Sequence, residues 1–196
     1  MSGRVYYLRG GVMTGWIVLS VFILFIVWII FMYNRLITYK NDVAAAWSQI
    51  DVQLKRRHDL IPNLVSTVKG YMDFERDTLE RVITARSRAL SAVKMGDKAD
   101  AENALTSSLG SLFAVMEKYP VLKSNENALR LQEELTTTEN RIAFSRQFYN
   151  DLVANFRIRI EVFPDNIIAS MFSFQGPDFF SAEKEDRTLP SAKICR

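Results

Sequence analysis

The residues that could carry out chemistry are few, and they form no known catalytic arrangement. His58 is the only histidine, and it stands between Arg57 and Asp59 rather than beside a nucleophile. The sequence contains no G-x-S-x-G elbow, no phosphate-binding glycine loop and no E-x-x-H metal pairing. An enzyme would need carboxylates such as Asp59, Glu75 and Glu80 to meet in space, which no spacing indicates. We therefore expect no catalytic residue, no metal and no cofactor, and we expect His58 to be a solvated or bundle-edge side chain.

The longest apolar segment, residues 16–33, predicts a membrane-spanning helix. Its 18 residues carry no charge, and Ser20 is the one clearly polar side chain among them. At about 1.5 Å per residue this helix reaches roughly 27 Å, and its uncharged flanks extend it past the ~30 Å hydrocarbon core of a bilayer. The alternative is the core helix of a soluble protein, but such a helix is rarely apolar on every face for this length.

The flanks of this segment bear on its processing and orientation. The apolar run exceeds a signal-peptide core of about 7–15 residues, and bulky residues at 31–35 provide no small-residue cleavage site, which predicts an uncleaved signal-anchor. The numbers of basic residues on the two sides are almost equal, with Arg4 and Arg9 before the span and Arg35 and Lys40 after it. The positive-inside rule therefore leaves the orientation open.

Beyond the anchor, apolar residues recur at helical spacing and no strand pattern competes with them. The first such seam comprises Val43, Trp47, Ile50, Leu54, Ile61, Leu64 and Val68. It predicts that the membrane helix continues into a long helix that reaches about Ala92, with a bend or a new start at Pro62. The predicted fold class is all-α, with an N-terminal transmembrane helix that continues into the long helix of an antiparallel three- to four-helix bundle. The predicted domains are a short tail (1–11), the anchor (12–34), the bundle (35–175) and an irregular, partly disordered tail (176–196).

Charge and aromatic residues suggest surfaces rather than a reaction centre. The net charge of +3 is small, which argues against a nucleic-acid partner. Charged clusters at 55–57, 73–81 and 133–141 are expected to be solvated faces, with a partner surface as the alternative. The aromatic residues near the C-terminus either fold back to cap the bundle or contact the membrane or a neighbouring subunit; they are Phe172, Phe174, Phe179 and Phe180, with Phe163 before them.

Several segments resemble the bacterial LemA family. In chain order they are residues 46–57 (A-W-S-Q-I-D-V-Q-L-K-R-R), 59–65 (D-L-I-P-N-L-V), 68–71 (V-K-G-Y), 131–135 (L-Q-E-E-L), 138–142 (T-E-N-R-I) and 146–150 (R-Q-F-Y-N). The resemblance implies an N-terminal membrane helix followed by a helical bundle, and a single-pass protein of the bacterial cytoplasmic (inner) membrane. The side of the membrane on which the bundle lies stays open, with the cytoplasmic side preferred. No enzymatic activity follows from the resemblance.

The functional prediction is a non-enzymatic scaffold that is anchored in the lipid bilayer and assembles into homo-oligomers. Its predicted interface lies on the first long helix, where aromatic and polar side chains mix as they do on oligomer surfaces: Trp47, Gln49, Asp51, Gln53, Arg56 and Arg57. The alternative is an adaptor or sensor that binds a membrane enzyme, such as a protease, through the same face. The same residues could also pack and solvate a single monomer.

Overall fold

The computed structural model describes the backbone of residues 4–72 and 74–180 and the side chains of residues 15–72 and 74–180. Within these ranges there is no strand, which confirms the predicted all-α fold class. The helices are α1 (Arg4–Lys69), α2 (Arg76–Ser91), α3 (Met95–Met116), α4 (Pro120–Lys123), α5 (Glu126–Glu161) and α6 (Asp165–Met171). Residues 174–180 are non-helical. The rest of the predicted tail, residues 181–196, lies outside the described residues.

Helix α1 is 66 residues long and contains both the predicted anchor and the first helix of the bundle. It ends at Lys69, so the predicted extension to about Ala92 is wrong. Gly70 is a poor helix former, and the turn that follows it buries the side chain of Met72 before α2 begins. The break in the helix therefore falls at Gly70, and there is no new start at Pro62.

Helix α1 continues through Pro62 because another side chain replaces the hydrogen bond that proline cannot make. In a regular α-helix the N–H of residue 62 would bind the carbonyl of His58, but proline has no N–H. The Nε–H group of Arg86, on α2, donates to the carbonyl oxygen of His58 at 2.8 Å. Helix α2 thus supplies the donor that α1 lacks at this turn.

The described chain forms two compact units. The first contains the N-terminal part of α1, up to Ala44, and residues Leu152–Pro177. From Trp16 to Phe31 every large apolar side chain of α1 except Ile29 is exposed, so this segment is not the core helix of a soluble protein. It is the one helix in the described part of the chain that is long and apolar enough to cross a membrane.

Aromatic contacts in the first unit fold the chain after α6 back onto α1 and α5. The ring of Tyr33 lies 4.7 Å from that of Phe172 and 5.8 Å from that of Phe174, measured between centroids. Phe174 also lies 6.4 Å from Phe156. These contacts are worth about 0.5–1.5 kcal/mol each beyond their buried area.

The backbone that follows is held by an arginine of α5. Arg157 donates to the carbonyl oxygen of Pro177 through Nε at 3.0 Å and Nη2 at 2.7 Å. A Cβ atom at Gly176 would lie 2.6 Å from Cγ of Arg157, so this close approach requires glycine.

The second unit, whose described residues are 45–72, 74–151 and 178–180, is a four-helix bundle. Its core is a single cluster of buried apolar residues from α1, α2, α3, α4 and α5, among them Leu64, Val82, Leu112, Leu122 and Leu135. Pairs of contacting residues fix the helix directions: Trp47–Tyr149 and Arg57–Glu139 between α1 and α5, and Asp51–Lys98 and Arg57–Glu102 between α1 and α3. Residue numbers fall along α5 and rise along α3 as they rise along α1. Since α2 returns from the end of α1 to reach His58, the bundle runs up-down-up-down.

Candidate functional site: a buried charge network and an aromatic cleft

Arg57 lies at the centre of a charge network inside the bundle. Its side chain is 0% exposed and forms ion pairs with Glu102 of α3 and Glu139 of α5. Its Nη1 also donates to the hydroxyl of Thr106 at 2.9 Å, and that hydroxyl lies 2.9 Å from Oε1 of Glu139. The prediction that Arg57 lies on a solvated face or an interface surface is therefore wrong. Glu139, expected on a solvated face, is 32% exposed and pairs with this buried cation. Three helices are tied together at this level.

Glu102 is the fully buried acid of the network, and His58 is its second partner. The Nε2 atom of His58 lies 3.1 Å from one carboxylate oxygen of Glu102 and 3.4 Å from the other. Burial alone would raise the pKa of Glu102, but the hydrogen bond from His58 and the charge of Arg57 outweigh it and lower that pKa. His58 is 6% exposed and contacts the buried Glu102, so the expectation of a solvated or bundle-edge histidine is wrong.

Arg146 of α5 adds a second cation to the network. Its Nη1 donates to Oδ1 of Asn103 at 3.0 Å. Burial and the positive charge of Arg57 lower the pKa of Arg146, whereas the carboxylates of Glu139 and Glu102 raise it. Two cations thus face two carboxylates, so the network is close to neutral.

The network is suited to setting helix register rather than to catalysis. A buried ion pair gains little net stability over apolar packing, because desolvation offsets most of the Coulomb attraction. Its best-supported role is to exclude wrong alignments, since any shift of α1 would leave Arg57 or Glu102 buried without its partner. The described residues contain no group of three or more His, Cys, Asp or Glu side chains that could hold a metal ion.

A second cluster on α1 surrounds Trp47 and receives the C-terminal strap, which we define as residues 178–180. The Trp47 ring lies 5.5 Å from that of Tyr149 and 5.8 Å from that of Phe180. The ammonium group of Lys98 lies 5.3 Å above the same indole. Phe180 is 3% exposed, so it acts as an anchor for the strap.

Two residues of α5 hold the backbone of the strap. The side-chain amide of Asn150 donates to the carbonyl of Phe180 at 3.1 Å and accepts the Phe180 N–H at 2.8 Å. The hydroxyl of Tyr149 donates to the carbonyl of Asp178 at 2.9 Å. The guanidinium of Arg146 lies 4.5 Å above the Phe180 ring. We call Trp47, Arg146, Tyr149 and Asn150 the strap cleft.

The structure distributes the six predicted interface residues over different environments. Gln49 and Arg56 are exposed, and Arg56 lies 4.0 Å from Glu134 of α5. Asp51 is half-buried and pairs with Lys98, and Gln53 is half-buried with its carbonyl oxygen inside the bundle. Trp47 belongs to the strap cleft and Arg57 to the charge network. The six residues therefore do not form one surface.

The four C-terminal phenylalanines also lie in different environments. Phe174 and Phe180 pack back onto helices of their own units, as the capping alternative predicted. The side chains of Phe172 and Phe179 stay about half exposed, although Phe172 contacts Tyr33. Their predicted contact with membrane or a subunit stays a prediction.

The sequence analysis assigned no functional role to five residues that the structure places in these sites: Arg86, Glu102, Arg146, Tyr149 and Asn150. For Glu102 a signal exists in the helical spacing: it lies three residues after Ala99 and three before Leu105, which are both buried, so a charged residue occupies a core position of α3. A charged residue on an apolar seam predicts an opposite charge on a facing seam. The strap contacts left no such signal, because they use backbone atoms of an irregular segment.

Comparison with known proteins assigns these features to a family. Residues 46–193, three quarters of the chain, match the model described as LemA family. The chain belongs to the LemA family. The matched range includes the α1 residues of both the charge network and the strap cleft.

The individual relatives of this LemA family protein are named either MamQ or LemA. Magnetosome protein MamQ 2 of Paramagnetospirillum magneticum is 28% identical over 189 residues, covering 83% of this chain and 69% of that protein. Protein LemA of Metamycoplasma hominis is 28% identical over 156 residues, covering 79% and 71%. Magnetosome protein MamQ of Magnetospirillum gryphiswaldense is 25% identical over 182 residues, covering 80% and 67%. Together with the exposed apolar helix, these matches make the chain a membrane-associated helical protein.

Proposed function

We propose that this LemA family protein is a non-enzymatic scaffold that self-assembles at the bacterial cytoplasmic membrane through the second unit. The observation that carries the proposal is an apolar face on α1 and α5, made of Val52, Phe144 and Phe148. These side chains are 63%, 71% and 42% exposed. Large apolar side chains exposed on neighbouring helices are typical of protein interaction sites.

Helix pairing puts two of these residues at one level of the bundle. Trp47 contacts Tyr149 and Arg57 pairs with Glu139 between the antiparallel helices α1 and α5. Val52, five residues after Trp47, therefore lies level with Phe144, five residues before Tyr149. Phe144 lies one turn from Phe148. The exposed members of the predicted interface, Gln49 and Arg56, flank Val52 on α1.

Membrane anchoring makes weak contacts through this face sufficient for assembly. Each apolar side chain that becomes fully buried contributes about 1.5–3 kcal/mol. Copies confined to one membrane also have a raised effective concentration, so a modest contact area can hold them together.

The test is the particle mass of the full-length protein in mild detergent or lipid nanodiscs, measured by light scattering. Val52→Glu and the double variant Phe144→Glu/Phe148→Glu should reduce an oligomeric particle to smaller species, because each places charge in the interface. Leu90→Glu is the matched control, since Leu90 is 55% exposed on α2. A monomeric wild-type particle would refute the proposal and favour the alternative, an adaptor or sensor for a membrane enzyme such as a protease.

A further inference from the structure

Helix α6, in the first unit, is apolar on two faces, and only one of them is covered by protein. Ile168 on the inner face is buried, whereas Ile167 and Met171 lie one turn apart on the outer face and are more than half exposed. Two phenylalanines that flank the helix, Phe163 and Phe172, are at least half exposed as well. We call Phe163, Ile167, Met171 and Phe172 the outer patch. A helix that is apolar on all sides is normally buried on all sides, so the outer patch requires an apolar partner.

Both ends of α6 are tied to the part of α1 that directly follows the apolar segment. The ring of Phe172 contacts that of Tyr33, the last residue of that segment. At the other end of α6, Asp165 pairs with Arg159 at 3.6 Å, and the Arg159 guanidinium lies 5.9 Å from the Tyr39 ring. Tyr33 and Tyr39 are six residues apart, which is about 9 Å along the helix axis.

This stretch of α1 matches the headgroup layer of a bilayer in position and thickness. A bilayer of about 40–45 Å encloses a hydrocarbon core of about 30 Å, which leaves about 5–8 Å of headgroups on each side. Helices that lie in this layer bury their apolar face roughly 5–10 Å into the boundary between headgroups and acyl chains. Large apolar side chains at this depth meet lipid rather than water.

A cation of α1 lies at the depth expected for lipid phosphate. Lys40 is exposed, and it stands seven residues beyond Tyr33, about 10 Å along the helix. Together with Tyr33, Ile37 and Phe172 it lines a cavity of about 300 Å³ in the first unit. The cavity therefore has aromatic rings where the apolar segment ends and an ammonium group two turns further on. Aromatic rings and lysines in this order are typical of the membrane–water interface.

We propose that the outer patch inserts into the lipid headgroup layer, so that the first unit binds the bilayer at a second point beside the spanning helix. A single spanning helix is free to rotate about its own axis, whereas an additional interfacial contact fixes its rotation and tilt. This membrane contact is independent of the proposed self-assembly. It also selects the membrane, rather than a subunit, as the partner of Phe172.

The experiment measures how deeply spin labels on the outer patch lie in the bilayer. The full-length protein is reconstituted into vesicles of phosphatidylcholine and phosphatidylglycerol. Cys195, the only cysteine, is replaced by serine, and a nitroxide is attached to Ile167→Cys or Met171→Cys. Electron paramagnetic resonance then compares collisions of the label with oxygen, which concentrates in lipid, and with a nickel chelate, which stays in water.

Two further labelled positions in the first unit calibrate the depth. Ile23→Cys lies in the exposed apolar segment and marks the hydrocarbon. Asp42→Cys is the matched control, since Asp42 is exposed on α1 about 14 Å beyond Tyr33, past the headgroup layer. We expect the ratio of oxygen to nickel collisions at Ile167→Cys and Met171→Cys to be several-fold higher than at Asp42→Cys.

A collision ratio at both patch positions as low as that of Asp42→Cys would overturn the proposal, because the patch would then face water. Labels that neither reagent reaches would overturn it as well, since protein rather than lipid would cover the patch. A second variant guards against a label that draws the helix into lipid by itself. Phe163→Glu places a charge in the patch and should lower the ratio at Met171→Cys several-fold, whereas an unchanged ratio would contradict insertion of the patch.

Discussion

The hydrogen bond from Arg86 to the His58 carbonyl predicts that substitutions at two residues, Arg86 and Pro62, are energetically coupled. Arg86→Met keeps the length of the side chain but removes the donor, which leaves a partly buried carbonyl without a partner. Leaving such a group unsatisfied costs about 1–3 kcal/mol. We therefore expect Arg86→Met to lower the free energy of unfolding by roughly 1–2 kcal/mol.

The second residue is Pro62, which creates the need for this hydrogen bond. Pro62→Ala restores the N–H of residue 62, and this group can bind the His58 carbonyl within the helix. In the Pro62→Ala background, Arg86→Met should cost less than about 0.5 kcal/mol, because the carbonyl keeps a donor. The two substitutions should thus show a coupling energy of about 1 kcal/mol or more in a double-mutant cycle.

The assay is urea unfolding of the full-length protein in mild detergent, followed by far-ultraviolet circular dichroism. Arg88→Met is the matched control, since Arg88 lies on the same helix but lines the groove between α2 and α3. Its effect should not depend on residue 62. Additive effects of Arg86→Met and Pro62→Ala would refute the explanation of how α1 crosses the proline.

Three further outcomes follow from the network and the strap. Arg57→Met should destabilise the protein by about 3–5 kcal/mol in the same assay, because Glu102 stays buried without its cation, and adding Glu102→Gln and Glu139→Gln should restore much of the loss. The lowered pKa of Glu102 stabilises the folded state above its ordinary value of 4.5 and ceases to do so as the pH falls below it, so Glu102→Gln should flatten unfolding-against-pH curves in that range. Asn150→Ala should raise the rate of limited proteolysis near residues 174–180, and unchanged protection would contradict the assigned hold on Phe180.

Apolar spacing in the sequence predicted the helices and which faces they bury. The uncharged segment 16–33 predicted the exposed apolar part of α1, and the seam of Ile50, Leu54, Ile61 and Leu64 is buried as expected. These features are local, because burial of one helix face requires only that apolar residues repeat with the helix period. The end of α1 was misplaced, since the local pattern resumes after Gly70 and does not show that the chain turns there.

The same seam also contains a residue, Arg57, whose partners cannot be predicted from local spacing. Leu54 and Ile61 are seven positions apart in it, and Arg57 occupies the turn between them that still faces inward. The spacing therefore implied a buried position, but a cation is stable there only if acids reach it. Those acids come from α3 and α5, 45 and 82 residues further along the chain. Only the packing of the bundle decides such a meeting, because residues so far apart in sequence leave no periodic trace of their contact.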